Sequence, residues 1–259
     1  IHIVHYPVKT IEPSELELNL DYNFNYLVMA QWGPRKNIEN TVRWWVEENF
    51  DQKVGLVLKV SSKNNSIMDR EHVYRNLKNM IKSVKQEDMK CKIYLLHGDL
   101  TDNQMQALYS DPKIKCLVSL THGEGFGLPI FDAACNGLPI IAPGWSGHCD
   151  FLYMPDSKGK NKSMFADVNY DLAPIHKGAK WDGVLEKDSS WCYAHEGHYK
   201  MRLRQVRKNY SKWKKKAEKL KDWVLEEFNS DKQHALFADT VGSPYDEVKK
   251  MFDEVMGSS

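Results

Sequence analysis

Between Tyr26 and Ala142 the chain repeats one pattern: a short continuous apolar run, then a segment whose apolar residues return every three or four positions. The runs fall at 26–31, 54–60, 92–96, 114–120 and 138–142. Helical spacing follows at 38–50 (Ile38, Val42, Trp45, Val46, Phe50), through Val73, Leu77, Met80, Ile81 and Val84, from Thr101 through Met105 and Leu108, and over 128–136. Apolar runs without polar alternation are strands buried on both faces, and helices between them supply the covering layers. The expected fold is α/β, a Rossmann-like parallel sheet with helices on both faces. In such a sheet a ligand binds at the carboxyl ends of the strands. Lys158 to Lys162 (KGKNK) is expected as a flexible basic loop, and 163–194 shows strand-like fragments around Phe165 and Trp191. From Met201 a long helical stripe runs through Leu203, Val206, Tyr210, Trp213, Ala217, Leu220, Val224 and Phe228. A last amphipathic segment carries Tyr245, Val248, Phe252 and Val255.

Composition narrows the function classes. In 259 residues, 36 basic and 35 acidic side chains give a net charge of +1, which argues against a globally basic nucleic-acid binder. No run reaches the roughly 18–20 apolar residues of a membrane span, and the opening IHIVHYPVKT lacks the apolar core of a signal peptide. Five scattered cysteines without a C-x-x-C pair fit a reducing, cytoplasmic setting. The chain begins with Ile1 rather than Met, as if excised from something longer.

The chemistry concentrates in LTHGEGFGLPIFD, 120–132. A strand ends, glycines stand at 123, 125 and 127, and Pro129 suits the first turn of a helix. Glycine lets backbone approach a ligand closely, and the N–H groups of Gly127 and Leu128 at a helix start form an anion site for a phosphate or diphosphate. The loop is neither G-x-G-x-x-G nor a P-loop, since Ile130 stands three residues after Gly127 and no G-K-[ST] occurs. It carries two carboxylates, Glu124 and Asp132. Carboxylates repel phosphates but accept hydrogen bonds from sugar hydroxyls. A ligand with a hydroxyl-rich group at each end of a diphosphate satisfies both needs, and that describes a nucleotide-sugar.

These residues resemble a known family. HGEGFGLPIFDAACNGLPIIAP is similar to the E-x₇-E signature of retaining GT-B glycosyltransferases, family four in particular. YLVMAQWGPRKN resembles the first strand and loop of their donor-binding domain, and LLHGDLTDNQMQALYSD the segment beside the nucleotide base. The likeness covers about 24–151 and, more weakly, extends to about 240. It implies that Glu124 is the catalytic-site carboxylate that hydrogen-bonds the donor sugar, and that Asp132 reaches the ribose. Backbone at Gly125, Phe126, Gly127 and Leu128 would hold the diphosphate, with Lys36, Arg35 and Lys59 as its cations. Asp99 and Leu100 would border the base, and His122 would sit near the donor sugar. Two positions depart from the pattern: Asp132 is one methylene shorter than the usual glutamate, and Gln31 replaces an arginine.

The resemblance implies transfer of a glycosyl group from a UDP- or GDP-sugar to an acceptor hydroxyl, with retention. The chain has no D-x-D motif, and lysines and a helix dipole stand where a metal would act, so transfer is expected without a metal or other cofactor. Residues 1–23 are expected as a linker from a missing N-terminal acceptor domain, 24–240 as the donor domain, and 241–259 as the crossover helix and tail. The acceptor would be a glycan, a lipid-linked sugar or a protein. The alternatives are a non-catalytic nucleotide-sugar-binding module and a sugar-nucleotide epimerase or phosphorylase on the same fold. The basic run from Tyr199 to Trp223 is read as a helix docked on the domain with its lysines in water, peripheral membrane contact being the other reading. Cys192, His195 and His198 have metal-like spacing but are three candidates only, with surface and helix-start roles as the default.

Overall fold

A computed structural model describes residues 3–84, 87–186 and 188–242. Five strands appear where the apolar runs predict them: β1 (Asn25–Gln31), β2 (Gly55–Ser61), β3 (Lys92–Leu96), β4 (Ile114–Val118) and β5 (Ile140–Pro143). Between them lie α1 (Ile38–Asn49), α2 (Ile67–Val84), α3 (Asp102–Ser110) and α4 (Leu128–Cys135). Helix α3 starts where its sequence says it should: Thr101 accepts from the Gln104 N–H while the Gln104 side chain returns to the Thr101 N–H. All strand pairings among β1–β5 are parallel.

Residues 149–194 form shorter elements: α5 (Cys149–Leu152), β6 (Tyr153–Pro155), β7 (Asn161–Ser163), β8 (Ala166–Val168), β9 (Tyr170–Pro174) and β10 (Ser190–Ala194). Strand β8 joins the main sheet beside β5, giving the order β3-β2-β1-β4-β5-β8. The expected flexible loop at Lys158 to Lys162 is instead the tip of the β6–β7 hairpin. Asp156 closes it by accepting from the N–H groups of Lys158 and Lys160, and Gly159 takes φ 74°. A carboxylate at the start of a turn does this even in a basic segment. Strands β9 and β10 pair antiparallel as a separate arm.

The helical stripe expected from Met201 begins five residues earlier and is two helices, α6 (Glu196–Lys208) and α7 (Tyr210–Glu227), parted at Asn209. Asn209 leaves helical geometry at φ −119° and ψ 39°. A one-residue break leaves the apolar spacing intact, so periodicity alone reads through it. Leu203, Val206, Ala217 and Leu220 are buried, as the docked-helix reading requires. In the core, the Tyr26 hydroxyl donates to the Leu203 carbonyl at 3.0 Å and Tyr199 to Thr41 at 3.3 Å, so both buried phenols are satisfied. Trp45 packs edge-on to Tyr26 at 6.0 Å.

Residues 11–221 form one compact unit. A second comprises the described residues up to Thr10 and those from Asp222 onward, including α8 (Ser230–Val241). Within it the Val8 N–H donates to the Phe228 carbonyl at 2.8 Å and the His5 N–H to Gln233 Oε1 at 3.0 Å. The segment expected to hold Tyr245 to Val255 lies outside the described residues. No described helix is long and apolar enough to cross a membrane.

Candidate functional site

The strand order reverses between β1 and β4, because the chain builds outward through β2 and β3 and then returns to the other side of β1. Loops leaving two such strands diverge and open a crevice at their carboxyl ends. Here the two loops are 32–37 and 119–127, and they are tied together. The His122 N–H donates to the Arg35 carbonyl at 2.8 Å, and Asn37 Nδ2 donates to the Leu120 carbonyl at 3.2 Å. Arg35 returns a hydrogen bond from Nη1 to the Gly123 carbonyl.

Glu124 sits at the centre of this junction. Arg35 Nη1 lies 2.9 Å from Glu124 Oε2 and Lys36 Nζ 2.5 Å from Oε1. The Glu124 side chain is 8% exposed, so both carboxylate oxygens meet a cation in a largely dry setting. Burial alone would raise its pKa, but the hydrogen bonds and charges of Lys36 and Arg35 outweigh that and hold it below the usual carboxylate value. Glu124 is ionised at neutral pH.

A second loop, 144–148, supports the first from behind. The Glu124 N–H donates to Ser146 Oγ at 2.8 Å, and the Gly147 N–H donates to the Glu124 carbonyl at 3.1 Å. Gly147 must be glycine: a Cβ there would stand 1.8 Å from the Gly125 carbonyl oxygen. Ser146 takes φ 72°, a conformation seldom adopted by residues with a Cβ, which is the cost of bringing its hydroxyl under Glu124. His148 is fully buried and donates from Nε2 to the Pro143 carbonyl at 2.7 Å. The sequence reading missed this support, although the glycine-flanked G-W-S-G directly after a strand was its signal.

Helix α4 opens at Gly127, whose φ of 91° requires glycine, and Pro129 occupies the first turn. The Phe126 side chain turns into a cluster with Phe131 and Phe151, with centroids 5.0 Å from each, and Gly127 is buried. Gly125 and Leu128 are exposed. Asp132 lies on the same helix, partly buried; burial first, and then the Asp132 charge, raise the pKa of Tyr109 and of Cys135, the latter to about 12.

The remaining expected residues are placed at other strand ends. Lys59 Nζ donates to the Gly98 carbonyl at 2.5 Å, and burial lowers its pKa against the opposing pull of Asp99. Asp99 accepts from Asn65, and Leu100 is half-buried beside it. None of these three has a hydrogen bond or ion pair to Glu124. Next to them Asp69 accepts from His97 Nε2 at 2.9 Å and from the N–H groups of Ser62 and Lys63. These bonds outweigh burial and bring its pKa to about 2. His122 is 7% exposed; its Nδ1 donates to the Cys192 carbonyl at 2.6 Å and its ring stacks on Trp191 at 5.1 Å. Among the described residues no group of three His, Cys, Asp or Glu side chains has a metal-binding arrangement. His195 faces Asp171, and His198 Nδ1 accepts from the Asn169 N–H.

No protein-family model matches the chain, and no curated protein sequence does. Solved structures do match. HepE from Anabaena, solved with UDP and glucose, superposes with a TM-score of 0.57 at 14% identity, over 87% of this chain and 50% of its own. Sucrose-phosphate synthase from Thermosynechococcus elongatus gives 0.55 at 14% identity, over 96% and 50%. A UDP-forming trehalose-phosphate synthase from Burkholderia xenovorans gives 0.56 at 10% identity, over 85% and 44%. The chain therefore spans half or less of these glycosyltransferases. At such identities the likeness is one of fold alone, that of the Rossmann-like half of a GT-B fold.

Proposed function

We propose that the chain is the donor-binding half of a retaining glycosyltransferase that takes a nucleotide-diphosphate sugar. The observation that carries this reading is the Glu124 junction, a buried carboxylate between two cations on a glycine loop at a helix start, at the point where the strand order reverses. The solved proteins of the same fold include ones complexed with UDP and glucose, which supports a donor of that class.

In this reading the diphosphate lies against the 125–128 backbone at the start of α4, where the helix dipole favours negative charge. Arg35 and Lys36 are within reach of it while held on Glu124. When the anomeric carbon–oxygen bond breaks, charge builds on the departing nucleoside diphosphate. Donors fixed in advance stabilise that charge more in the transition state than in the ground state. Glu124 accepts from donor-sugar hydroxyls, and Asp132 from the ribose. Lys59, Asp99 and Leu100 border the base, and His122 lies on the sugar side. Cations supplied by the protein make the transfer independent of a metal. The acceptor hydroxyl, on a glycan, lipid-linked sugar or protein, would be presented by an additional N-terminal domain.

Donor binding and turnover in a polypeptide that includes such a domain test the reading. Activity retained in excess chelator and abolished by Glu124→Ala is expected. Donor binding without turnover for any acceptor would favour the non-catalytic binding module, a reading supported by the shorter Asp132 and by the two cations already held on Glu124.

A further inference from the structure

A cleft of about 510 Å³ opens beside the 32–37 loop, walled by that loop, His122, the start of α1, α2 and the β9–β10 arm. Its size lies within the roughly 300–1,000 Å³ of small-ligand sites. Three aromatic side chains, Trp32, Trp191 and Tyr193, line it. The last two are fixed: Trp191 is 6% exposed and stacked on the His122 ring, and Tyr193 packs on the same ring at 4.6 Å and donates from its hydroxyl to the Pro174 carbonyl at 2.9 Å. Around them stand amide, hydroxyl and imidazole groups, among them Asn76 and His176, and one carboxylate, Glu39. No ion pair engages Glu39 among the described residues.

The lining contains no lysine or arginine, in a chain with 36 of them. A phosphate or other anion would meet the Glu39 carboxylate with no lysine or arginine to offset it, only the histidines of the lining and the start of α1. A purely apolar ligand would strip water from the amide, imidazole and carboxylate groups without replacing their hydrogen bonds, which is costly. A pyranose meets both demands. Its C–H face packs on aromatic rings, and its hydroxyls pair with carboxylate, amide and imidazole groups. We infer that this cleft is a binding site for a neutral saccharide, with Trp32 and Tyr193 as its stacking surface, Trp191 backing the wall, and Glu39 and Asn76 as hydroxyl partners. The 32–37 loop and His122 border both this cleft and the proposed donor site, and a comparison of saccharide with nucleotide binding tells the two apart.

Saturation-transfer NMR on the 259-residue chain, with maltotriose, cellotriose and N-acetylchitotriose as probes and UMP as a comparison, tests the site. Transfer to pyranose ring protons of at least one saccharide is expected, with affinity falling at least tenfold in Tyr193→Ala and in the exposed-site variant Glu39→Ala. The Glu39 variant removes only a solvent-facing group, so it retains the fold even where the aromatic variant does not. No transfer to any saccharide, transfer to UMP alone, or unchanged affinity in Glu39→Ala and a folded Tyr193→Ala would overturn the assignment.

Discussion

Glu124 and Asp69 are both carboxylates held by partners from other elements, and the same linkage argument applies to each. A carboxylate whose folded pKa is depressed stabilises the fold above its unfolded value and loses that contribution as pH falls through the folded one. For Asp69 the window runs from the ordinary value of 3.8 down to about 2. Asp69 anchors the 62–63 backbone to His97, so Asp69→Asn is expected to destabilise the chain at neutral pH, and the difference from the parent should shrink steadily below pH 4. Urea unfolding at several pH values measures it; a difference independent of pH would contradict the assignment. Glu124→Gln keeps the shape but leaves Lys36, 17% exposed, without its counter-charge. A loss of about 1 kcal/mol, at the low end of the range for an unpaired buried group, is expected for stranding this partly buried partner.

At the scale of elements, the predictions concern backbone fit. Gly147→Ala would set a methyl against the Gly125 carbonyl, and neither is the movable end of a flexible side chain. The supporting loop must shift, at about 1–3 kcal/mol for overpacking, and it carries the Ser146 hydroxyl and the Gly147 N–H away from Glu124. Hydrogen exchange should then rise at the Glu124 amide while amides of β1 and β4 stay protected. This second loop is also where sequence reading reached its limit. Strands β1 to β5 were legible because each is a mostly apolar run, interrupted only by Lys59 in β2 and Lys115 in β4, and β3 matches its expected bounds. The glycine loop was legible because its residue types are dictated locally by Gly127 and Pro129. Strand β8 was legible only as a fragment around Phe165, since three residues carry no period and only pairing with β5 makes them part of the main sheet. The β9–β10 arm, half-exposed and outside the repeating pattern, left only the fragment around Trp191. The ion pairs of Glu124 join residues 88 and 89 positions apart, a contact that spacing along the chain does not reveal.

For the molecule as a whole, the strand reversal places one crevice at the sheet's carboxyl edge, and what binds there binds only the folded chain. Such a ligand stabilises by RT ln(1 + [L]/Kd), about 2.7 kcal/mol at a hundredfold excess over Kd. For a chain of this length, 1 kcal/mol moves the melting temperature by about 2–4 °C. A matching donor at that excess should therefore raise it by roughly 5–10 °C, and a screen of UDP-, GDP- and ADP-sugars identifies the base by which one does. Glu124→Gln then separates the parts of the ligand. Loss of the carboxylate removes a sugar-hydroxyl acceptor but frees Arg35 and Lys36 for phosphate. The shift given by the nucleotide-sugar should fall toward that of the bare nucleoside diphosphate, whose own shift should persist or grow. An equal loss of both shifts would mean that Glu124 serves to hold the two cations in place and does not read the sugar.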